Sequence, residues 1–487
     1  MELFMKKIYS ILAILCAFAL TSCDGFLDWP PTESASAETS ITSLSDAEIM
    51  MNGVMNKLTS SSYLGRNMFM YADTKGGDLC IASAGRGMDA MYTFNQSAAG
   101  NTYSGFWSQG FNIILQINNI IENVEKLEEE GQTGFDNVLG QAYTLRAMVY
   151  FDLVRLYGKP YNYDKTAWGV PNVTERLDAS AKEIRATVET NYNQIVADLQ
   201  KGAGLIGKSK SNGRINYYGN KALQARVYLY MDNFSSALAA AEEVINSGVY
   251  SLYSNDQWVE SWGQQFGSES IFELIMDDTN TGLGNSSLGY YYCRKNDYGN
   301  STGYFINSTD FIENILGEDP DDIRWGVYTY DETSTERMGC CYKYLGGLSK
   351  QGDGKSVGAN VNIKVIRLSE MYLIAAEAAL KSGNKSKAAD YLNDIRKRSV
   401  GLDPATEATV SEDMILNERG KELQLEGHRF FDMMRCNKTI TFDDDMDPAG
   451  GRYQRDRTID RTHPLTILPI PQREIIINPD LQQNPGY

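Results

Sequence analysis

Apolar residues recur along this chain at three- and four-residue steps far more often than in alternation, the pattern of amphipathic helices. From Ser104 onward, Phe106, Trp107, Phe111, Ile114, Leu115, Ile117, Ile121 and Val124 fall on one helical face. A second stripe, Leu139, Ala142, Leu145, Ala147, Tyr150, Leu153 and Val154, predicts a helix over 137–157, closed by the Gly158-Lys-Pro160 stop. The same periodicity predicts helices at 45–58, with Ser45 or Asp46 as N-cap, and at 181–199, 217–231, 234–247, 363–381, 385–398 and 410–426. The Gly-, Ser- and Asn-rich stretch 65–101 reads as loop.

Two of the predicted helix pairs are alike. Residues 225–245 align without gaps on 376–396, matching Ala225 with Ala376, Leu229 with Leu380, Asn233 with Asn384, Ala237 with Ala388 and Val244 with Ile395. Small residues at the crossings let two helices approach around a short Asp-Asn or Gly-Asn turn. This is the logic of tetratricopeptide-type repeats, whose units stack to bury their apolar faces. The predicted fold is therefore all-α, mostly helical, a scaffold of helix-turn-helix repeats with a large irregular, loop-rich region carrying minor β. That region is 251–361. It holds 15 of the 43 Gly, 10 of the 30 Tyr and 3 of the 6 Trp, with little helical periodicity. So long a stretch is not structureless in a compact protein, and short helices, turns and a small hairpin at Ser270–Met276 are expected. Loops on a rigid scaffold are where binding residues concentrate.

Composition narrows the chemistry. The chain has 45 Lys+Arg against 63 Asp+Glu, a net charge of −18, which argues against a nucleic-acid partner. Lys6 and Lys7 precede an apolar run, Ile8–Leu20, too short to span a bilayer and suited to a secretory signal. Leu20-Thr-Ser-Cys23 at its end has the form of a lipobox, so Cys23 is the expected lipidation site, with Met5 an alternative start. Residues 1–22 then read as signal peptide and 23–40 as tether. The body follows as an N-terminal helical region 41–250 and a C-terminal region 251–487, made of loops (251–361), helices (362–435) and a tail (436–487). The two regions are expected to pack as one compact body.

Beyond Cys16 and Cys23, the cysteines Cys80, Cys293, Cys340, Cys341 and Cys436 lack Cys-x-x-Cys spacing, so no disulfide framework is expected. The vicinal Cys340 and Cys341 read as two ordinary thiols. Two histidines cannot build a His-rich metal site. Gly352-Asp-Gly-Lys-Ser356 lacks the first glycine of a phosphate loop, which falls on Ser349. Asp443, Asp445 and Asp447 are spaced like a calcium loop, but Pro448 and Gln454 stand where that loop requires Gly and Glu. No His-Glu-x-x-His or Gly-x-Ser-x-Gly occurs. A glycosidase carboxylate pair needs no fixed spacing and leaves no motif to search for. No catalytic residue, metal or cofactor is expected.

The most specific signal lies at the C-terminus. The blocks 417–435 (NERGKELQLEGHRFFDMMR) and 468–487 (LPIPQREIIINPDLQQNPGY) resemble the signature of the SusD/RagB family, surface glycan-binding lipoproteins of nutrient uptake systems. Physically, the first block reads as a helix stopped at Gly427 and a second short helix from His428. Glu418, Arg419, Glu422, Arg429 and Asp432 read as a structural ion network rather than a catalytic set. The resemblance implies a non-enzymatic, lipid-anchored outer-membrane protein, facing outward, that captures oligosaccharides for a SusC-like TonB-dependent transporter. It also implies four helix pairs under irregular loops, and ligand contacts from the loop before the Trp107 helix and from the second-half loops. Aromatic faces for sugar C–H surfaces, with planar polar forks for hydroxyl pairs, point to Arg86, Tyr92 and Asn95 in the first loop. In the second they point to Tyr290, Tyr291, Tyr292 and Tyr298, while Trp107 and Trp325 read as core. The rival readings are a tetratricopeptide-type lipoprotein scaffold or peptide-binding uptake protein, and, more remotely, a glycoside hydrolase.

Overall fold

Two tight turns show how the helical repeat is built. The computed structural model describes residues 41–487 except 83, 84, 86, 101, 102, 179, 300, 333–335, 356, 357 and 443–456. In chain order its principal helices are α1 (Leu44–Leu58), α2 (Ser104–Glu129), α3 (Asp136–Tyr157), α4 (Val188–Leu205), α5 (Tyr217–Tyr230) and α6 (Phe234–Ile245). After the loop region come α7 (Leu288–Tyr292), α8 (Leu368–Lys381), α9 (Lys385–Arg396), α10 (Glu412–Glu422) and α11 (Arg429–Arg435). Between α5 and α6 the chain reverses through Asp232 at φ 56°, and between α8 and α9 through Gly383 at φ 83°. The next residue in each turn, Asn233 or Asn384, caps the following helix by accepting from Ser236 N at 3.3 Å or Lys387 N at 3.1 Å. The matched Ala225, Ala376, Ala237 and Ala388 are all fully buried at the crossings. The aligned segments are thus the same hairpin twice, with Asp in the left-handed position of one and Gly in the other.

Helix pairs α1–α2, α3–α4, α5–α6 and α8–α9 pack in succession, α6 bridging to α8 across the loop region that separates them in sequence. Buried ion pairs fix this stacking. Arg146 of α3 holds Asp198 of α4 at 2.7 and 2.8 Å, and Arg226 of α5 holds Glu370 of α8 at 2.6 and 2.7 Å. One connected set of buried apolar side chains runs from Ile41 to Leu481, with a smaller set where α8, α9 and α10 meet.

Strands are short and occur in four antiparallel two-stranded ladders among the described residues: β1 (Leu79–Ile81) with β3 (Phe305–Asn307), β2 (Ser270–Leu274) with β6 (Ile363–Arg367), β4 (Tyr328–Thr329) with β5 (Cys340–Cys341), and β7 (Ile440–Thr441) with β8 (Thr458–Ile459). The hairpin expected at Ser270–Met276 is a strand there, but its partner is β6, about ninety residues on, through a register with two irregularities. For the same reason the helix expected from Ile363 begins at Leu368, because the β-branched run before it forms the ladder. The helix expected at 181–199 lies at 188–205. Its first turn is displaced because buried Arg185 spends its guanidinium on Gly169 O, Tyr157 O and Asn484 Oδ1 at 2.7–2.9 Å, which keeps the preceding segment extended. The N-cap of α1 is Ser43, not Ser45 or Asp46, and Asp46 returns the contact by accepting from Ser43 Oγ at 2.9 Å. Helix α10 ends at Glu422 and not at Gly427. Gly427 has φ 83°, but it serves the turn into α11, where a Cβ would meet the Phe69 ring at 2.9 Å.

The charges of the 417–435 block form the ion network that the sequence suggests, and the structure adds its partners. Glu422 accepts from Arg367 at 2.9 Å, from Arg324 at 3.4 Å and from Arg398, with Trp258 Nε1 at 3.3 Å. Glu426 takes Arg367 at 2.7 and 2.8 Å and Lys343 at 3.0 Å. Glu418 pairs with Arg324 at 2.7 Å, Arg419 with Asp432 at 2.9 Å, and Arg429 with Asp78 at 3.0 Å. Trp258 and Trp262 roof the cluster, with Lys343 Nζ 4.6 Å from the Trp262 ring centre. Burial alone would raise the Glu422 carboxyl, but Arg398, Arg367 and Arg324 hold it well below the usual carboxylate range.

Three outcomes follow from this packing. Gly383→Ala, forced to φ 83°, is expected to lower stability by about 1 kcal/mol in urea denaturation, whereas Asp232→Gly at the equivalent position should not lower it. Glu422→Gln strands three buried guanidiniums and should cost about 3 kcal/mol or more in the same experiment. Burial, opposed by Glu370, pushes the His428 imidazole down to about 4. The unfolded ring accepts a proton near 6.5 that the folded ring refuses, so stability falls as pH drops through that window, by ~3 kcal/mol in all. His428→Gln should flatten the 6.5-to-4 limb of a stability-versus-pH curve.

Candidate ligand-binding site

The two loop regions singled out from sequence meet at the β1–β3 ladder. Cys80 pairs with Ile306 and Ile81 with Phe305, and Ala82 N extends the ladder by donating to Tyr304 O at 2.9 Å. Tyr304 is the joint between the loops. It is fully buried, its hydroxyl donates to Asp89 Oδ1 at 2.6 Å and accepts from Met88 N at 3.1 Å, and its N–H donates to Tyr291 O at 2.9 Å. Asp89 in turn accepts from Gly85 N at 3.1 Å, so one carboxylate shapes the first loop against the second.

Helix α7 carries the tyrosine run. Ser287 caps it by accepting from Tyr290 N at 3.2 Å, and Gly289 lets it lie against the backbone of Tyr344, whose carbonyl oxygen a Cβ would meet at 2.5 Å. On so short a helix the three tyrosines point in different directions. Tyr290 and Tyr291 are half-buried, their rings edge-to-face at 5.6 Å, and Tyr291 is packed edge-on to Tyr304 at 6.0 Å. The Arg66 guanidinium stands 5.3 Å from the Tyr291 ring centre, anchored to Ser286 O at 3.2 Å and Asn67 Oδ1 at 2.8 Å. Tyr298, also half-buried, sits in the following turn, where Ser301 Oγ accepts from Asp297 N and Tyr298 N at 3.0 and 3.1 Å. The result is a partly exposed aromatic ledge with a guanidinium at its edge, able to stack a ring and bind a hydroxyl pair.

The other expected residues fall elsewhere. Tyr292 is 1% exposed, with a hydroxyl that has no hydrogen-bond partner among the described residues. Tyr92 is equally buried, packed on Phe305 and Phe442 at 6.4 and 6.1 Å. Both are core rings and present no face to a ligand. Asn95 is exposed, but its neighbours Phe94 and Gln96 turn to the C-terminal tail, Gln96 donating to Leu465 O at 2.6 Å and Tyr487 Oη at 2.7 Å. Arg86, Cys23 and the Asp443, Asp445 and Asp447 group lie outside the described residues. Trp107 is 5% exposed, as expected of core, and Trp325 donates to Asp319 O at 3.1 Å. Arg66 is the ledge residue that sequence reading missed, since nothing in Leu64-Gly-Arg66-Asn67 points to a tyrosine more than two hundred positions on.

At the other end of the ladder, past Asp78 and Ser308, lies a cleft of about 530 Å³ lined by Gly76–Asp78, Ser308–Asp310, Glu313, Asn314, Arg429, Met433 and Thr439–Thr441. Among the described residues no aromatic ring lines it. Among the described residues no cluster of His, Cys, Asp or Glu could hold a metal ion, and no helix is long and apolar enough to cross a membrane. The buried Cys80 thiol donates to Asn307 O at 3.6 Å; Cys293, Cys340 and Cys341 are buried thiols outside any disulfide, and burial pushes Cys293 and Cys341 up to about 11.

Stacked helix hairpins carrying a layer of loops define a tetratricopeptide-like helical scaffold that presents its variable surface on irregular backbone. Comparison with known proteins specifies it further. Residues 285–487 match the family model described as "SusD family", and residues 26–229 match one described as "Starch-binding associating with outer membrane". A crystal structure of a SusD superfamily protein from Bacteroides thetaiotaomicron is 32% identical, covers 91% of this chain and all of its own, and superposes with a TM-score of 0.82. SusD-like protein P38 of Formosa agariphila is 24% identical over 99% of this chain and its own full length. The starch-binding protein SusD of Bacteroides thetaiotaomicron is 22% identical over 74% of this chain and 75% of its own. The chain belongs to the SusD/RagB family.

Proposed function

We propose that this protein is a cell-surface, lipid-anchored glycan-binding protein, not an enzyme, that captures oligosaccharides and delivers them to a SusC-like TonB-dependent transporter in the outer membrane. The observation that carries the reading is the ledge of Tyr290 and Tyr291 beside Arg66, half-buried rings with a polar handle, with Tyr298 half-buried in the following turn. Such rings stack on the C–H face of a pyranose, and the guanidinium serves its hydroxyls. The family model for the first half is described as starch-binding, and a relative along three quarters of its length is named a starch-binding protein. Both support a neutral glycan as the ligand. The Leu20-Thr-Ser-Cys23 motif supports the anchor, with Cys23 lipidated and the body facing outward. Tyr92 and Tyr292 support the ledge from behind instead of touching the sugar, and Asn95 contributes only to a ligand long enough to reach the tail side.

Calorimetry against a panel of neutral oligosaccharides, maltoheptaose among them, tests the binding mode. Tyr290→Ala and Tyr291→Ala should each weaken binding ~5- to 10-fold, about 1 kcal/mol per lost stacking face, with chelator changing nothing. Unchanged affinity in the double variant moves the site off the ledge. Cys23→Ala should abolish incorporation of a palmitate analogue and release the protein from outer membranes; a variant that still takes up label contradicts the anchor.

A further inference from the structure

The Arg66 guanidinium at the edge of the ledge has more hydrogen-bonding capacity than the protein uses. A guanidinium carries five N–H donors. Arg66 spends Nε on Asn67 Oδ1 at 2.8 Å and one Nη1 N–H on Ser286 O at 3.2 Å, and no further acceptor meets it among the described residues. Both acceptors are neutral. Elsewhere Arg146, Arg226, Arg324, Arg367 and Arg435 each hold a carboxylate. Arg185, 1% exposed, does without one, but it gives its N–H groups to Gly169 O, Tyr157 O, Trp168 O, Gln482 O and Asn484 Oδ1. Nothing similar completes Arg66. Burial lowers its guanidinium from the ordinary range, and the ionisable neighbours that act on it are Tyr291 and Tyr292, not a carboxylate. The acids of the two loops are engaged with other groups. Asp89 takes the Tyr304 hydroxyl and Gly85 N, and Asp297 takes Lys350 at 2.7 Å and Arg294 at 3.3 Å. A half-buried cation without a counter-charge is compensated only in part by the Tyr291 ring 5.3 Å away. The unspent N–H groups are on Nη1 and Nη2, beside the exposed Ser286. That end of the fork meets a carboxylate with two parallel hydrogen bonds.

We propose that Arg66 is a specificity-determining residue of the ledge, which favours glycans carrying a uronic acid next to the neutral ring that stacks on Tyr290 or Tyr291. The proposal rests on glycan binding at the ledge and adds to it. Neutral oligosaccharides bind through the rings, and a carboxylate one residue along completes Arg66. The test is calorimetry with maltoheptaose, and with any other neutral oligosaccharide of the panel that binds. Each is compared with its C6-oxidised, glucuronate-bearing form and with the methyl ester of that form, which keeps the shape without the charge. In about 0.15 M salt, charges farther apart than ~8 Å are largely screened, so the chain's net charge of −18 does not mask a local pair. Wild type should bind the acid ~10-fold more tightly than the ester, the gain of a charge-assisted pair over a neutral one. Arg66→Gln should bring that ratio to about one, and Arg66→Lys, a point charge without the fork, should keep part of it. Equal wild-type affinity for acid and ester overturns the proposal, and that comparison needs no variant to fold. So does a preference for the acid that survives Arg66→Gln in a protein with an unchanged thermal melt. Either result leaves glycan binding in place, which the neutral sugar and the Tyr290→Ala/Tyr291→Ala variant report separately. Failure of every sugar, neutral or acidic, to bind wild type overturns the glycan function and the proposal together.

Discussion

The structure depends on Glu422. Its carboxylate lies with no solvent exposure among Arg324, Arg367 and Arg398, and those three come from the loop region, from strand β6 and from the turn just past α9. A buried carboxylate of this kind is costly unless every charge around it is matched. Here the matching residues are themselves paired: Arg367 and Arg398 with Glu269, Arg324 with Asp322 and Glu418, and Lys343 with Glu426. Removing any one member leaves others buried and uncompensated, so the cluster behaves as a single fastener between segments distant in sequence.

That fastener explains how an irregular layer of more than a hundred residues is held on a helical stack. Asp322 and Arg324 bring in the loops after β3, Lys343 those after β5, and Glu269 the entrance to β2, all converging on α10 and the turn behind it. With those points fixed, Lys343 and Tyr344 are buried, and the Tyr344 hydroxyl donates to Leu425 O at 2.8 Å. Helix α7 rests on the Tyr344 backbone through Gly289. The path from the ion cluster to Tyr290 and Tyr291 is therefore one layer of residues thick. The charge block of the sequence thus sets the height and tilt of the surface that Tyr290 and Tyr291 present.

Much of the scaffold was legible in the sequence because its signal is local. Periodicity placed α1, α3, α5, α6 and α9 to within a residue or two, and the aligned Asn233 and Asn384 turned out to be equivalent caps. The errors fall where a long-range partner overrides a local preference. Ile363–Arg367 is a strand only because Ser270–Leu274 lies beside it, and 181–187 is extended only because the buried Arg185 reaches the chain's last residues. The site was less legible for the same reason. A run of three tyrosines reads as one aromatic group, but a five-residue helix sends Tyr292 into the core and leaves Tyr290 and Tyr291 half-exposed. Tyr92 looked like loop and is core because Phe305 and Phe442, both remote, close over it. Arg66 and Asp78 carried no signal at all, since what makes each notable is a neighbour more than two hundred residues away.

The central claim, that the tyrosine ledge beside Arg66 is where this protein holds a glycan, is tested most directly by a crystal structure with a bound oligosaccharide from the panel. The account predicts a pyranose ring lying against Tyr290 or Tyr291, with a hydroxyl within hydrogen-bonding reach of the Arg66 guanidinium. A sugar bound elsewhere, with the ledge bare, would contradict it.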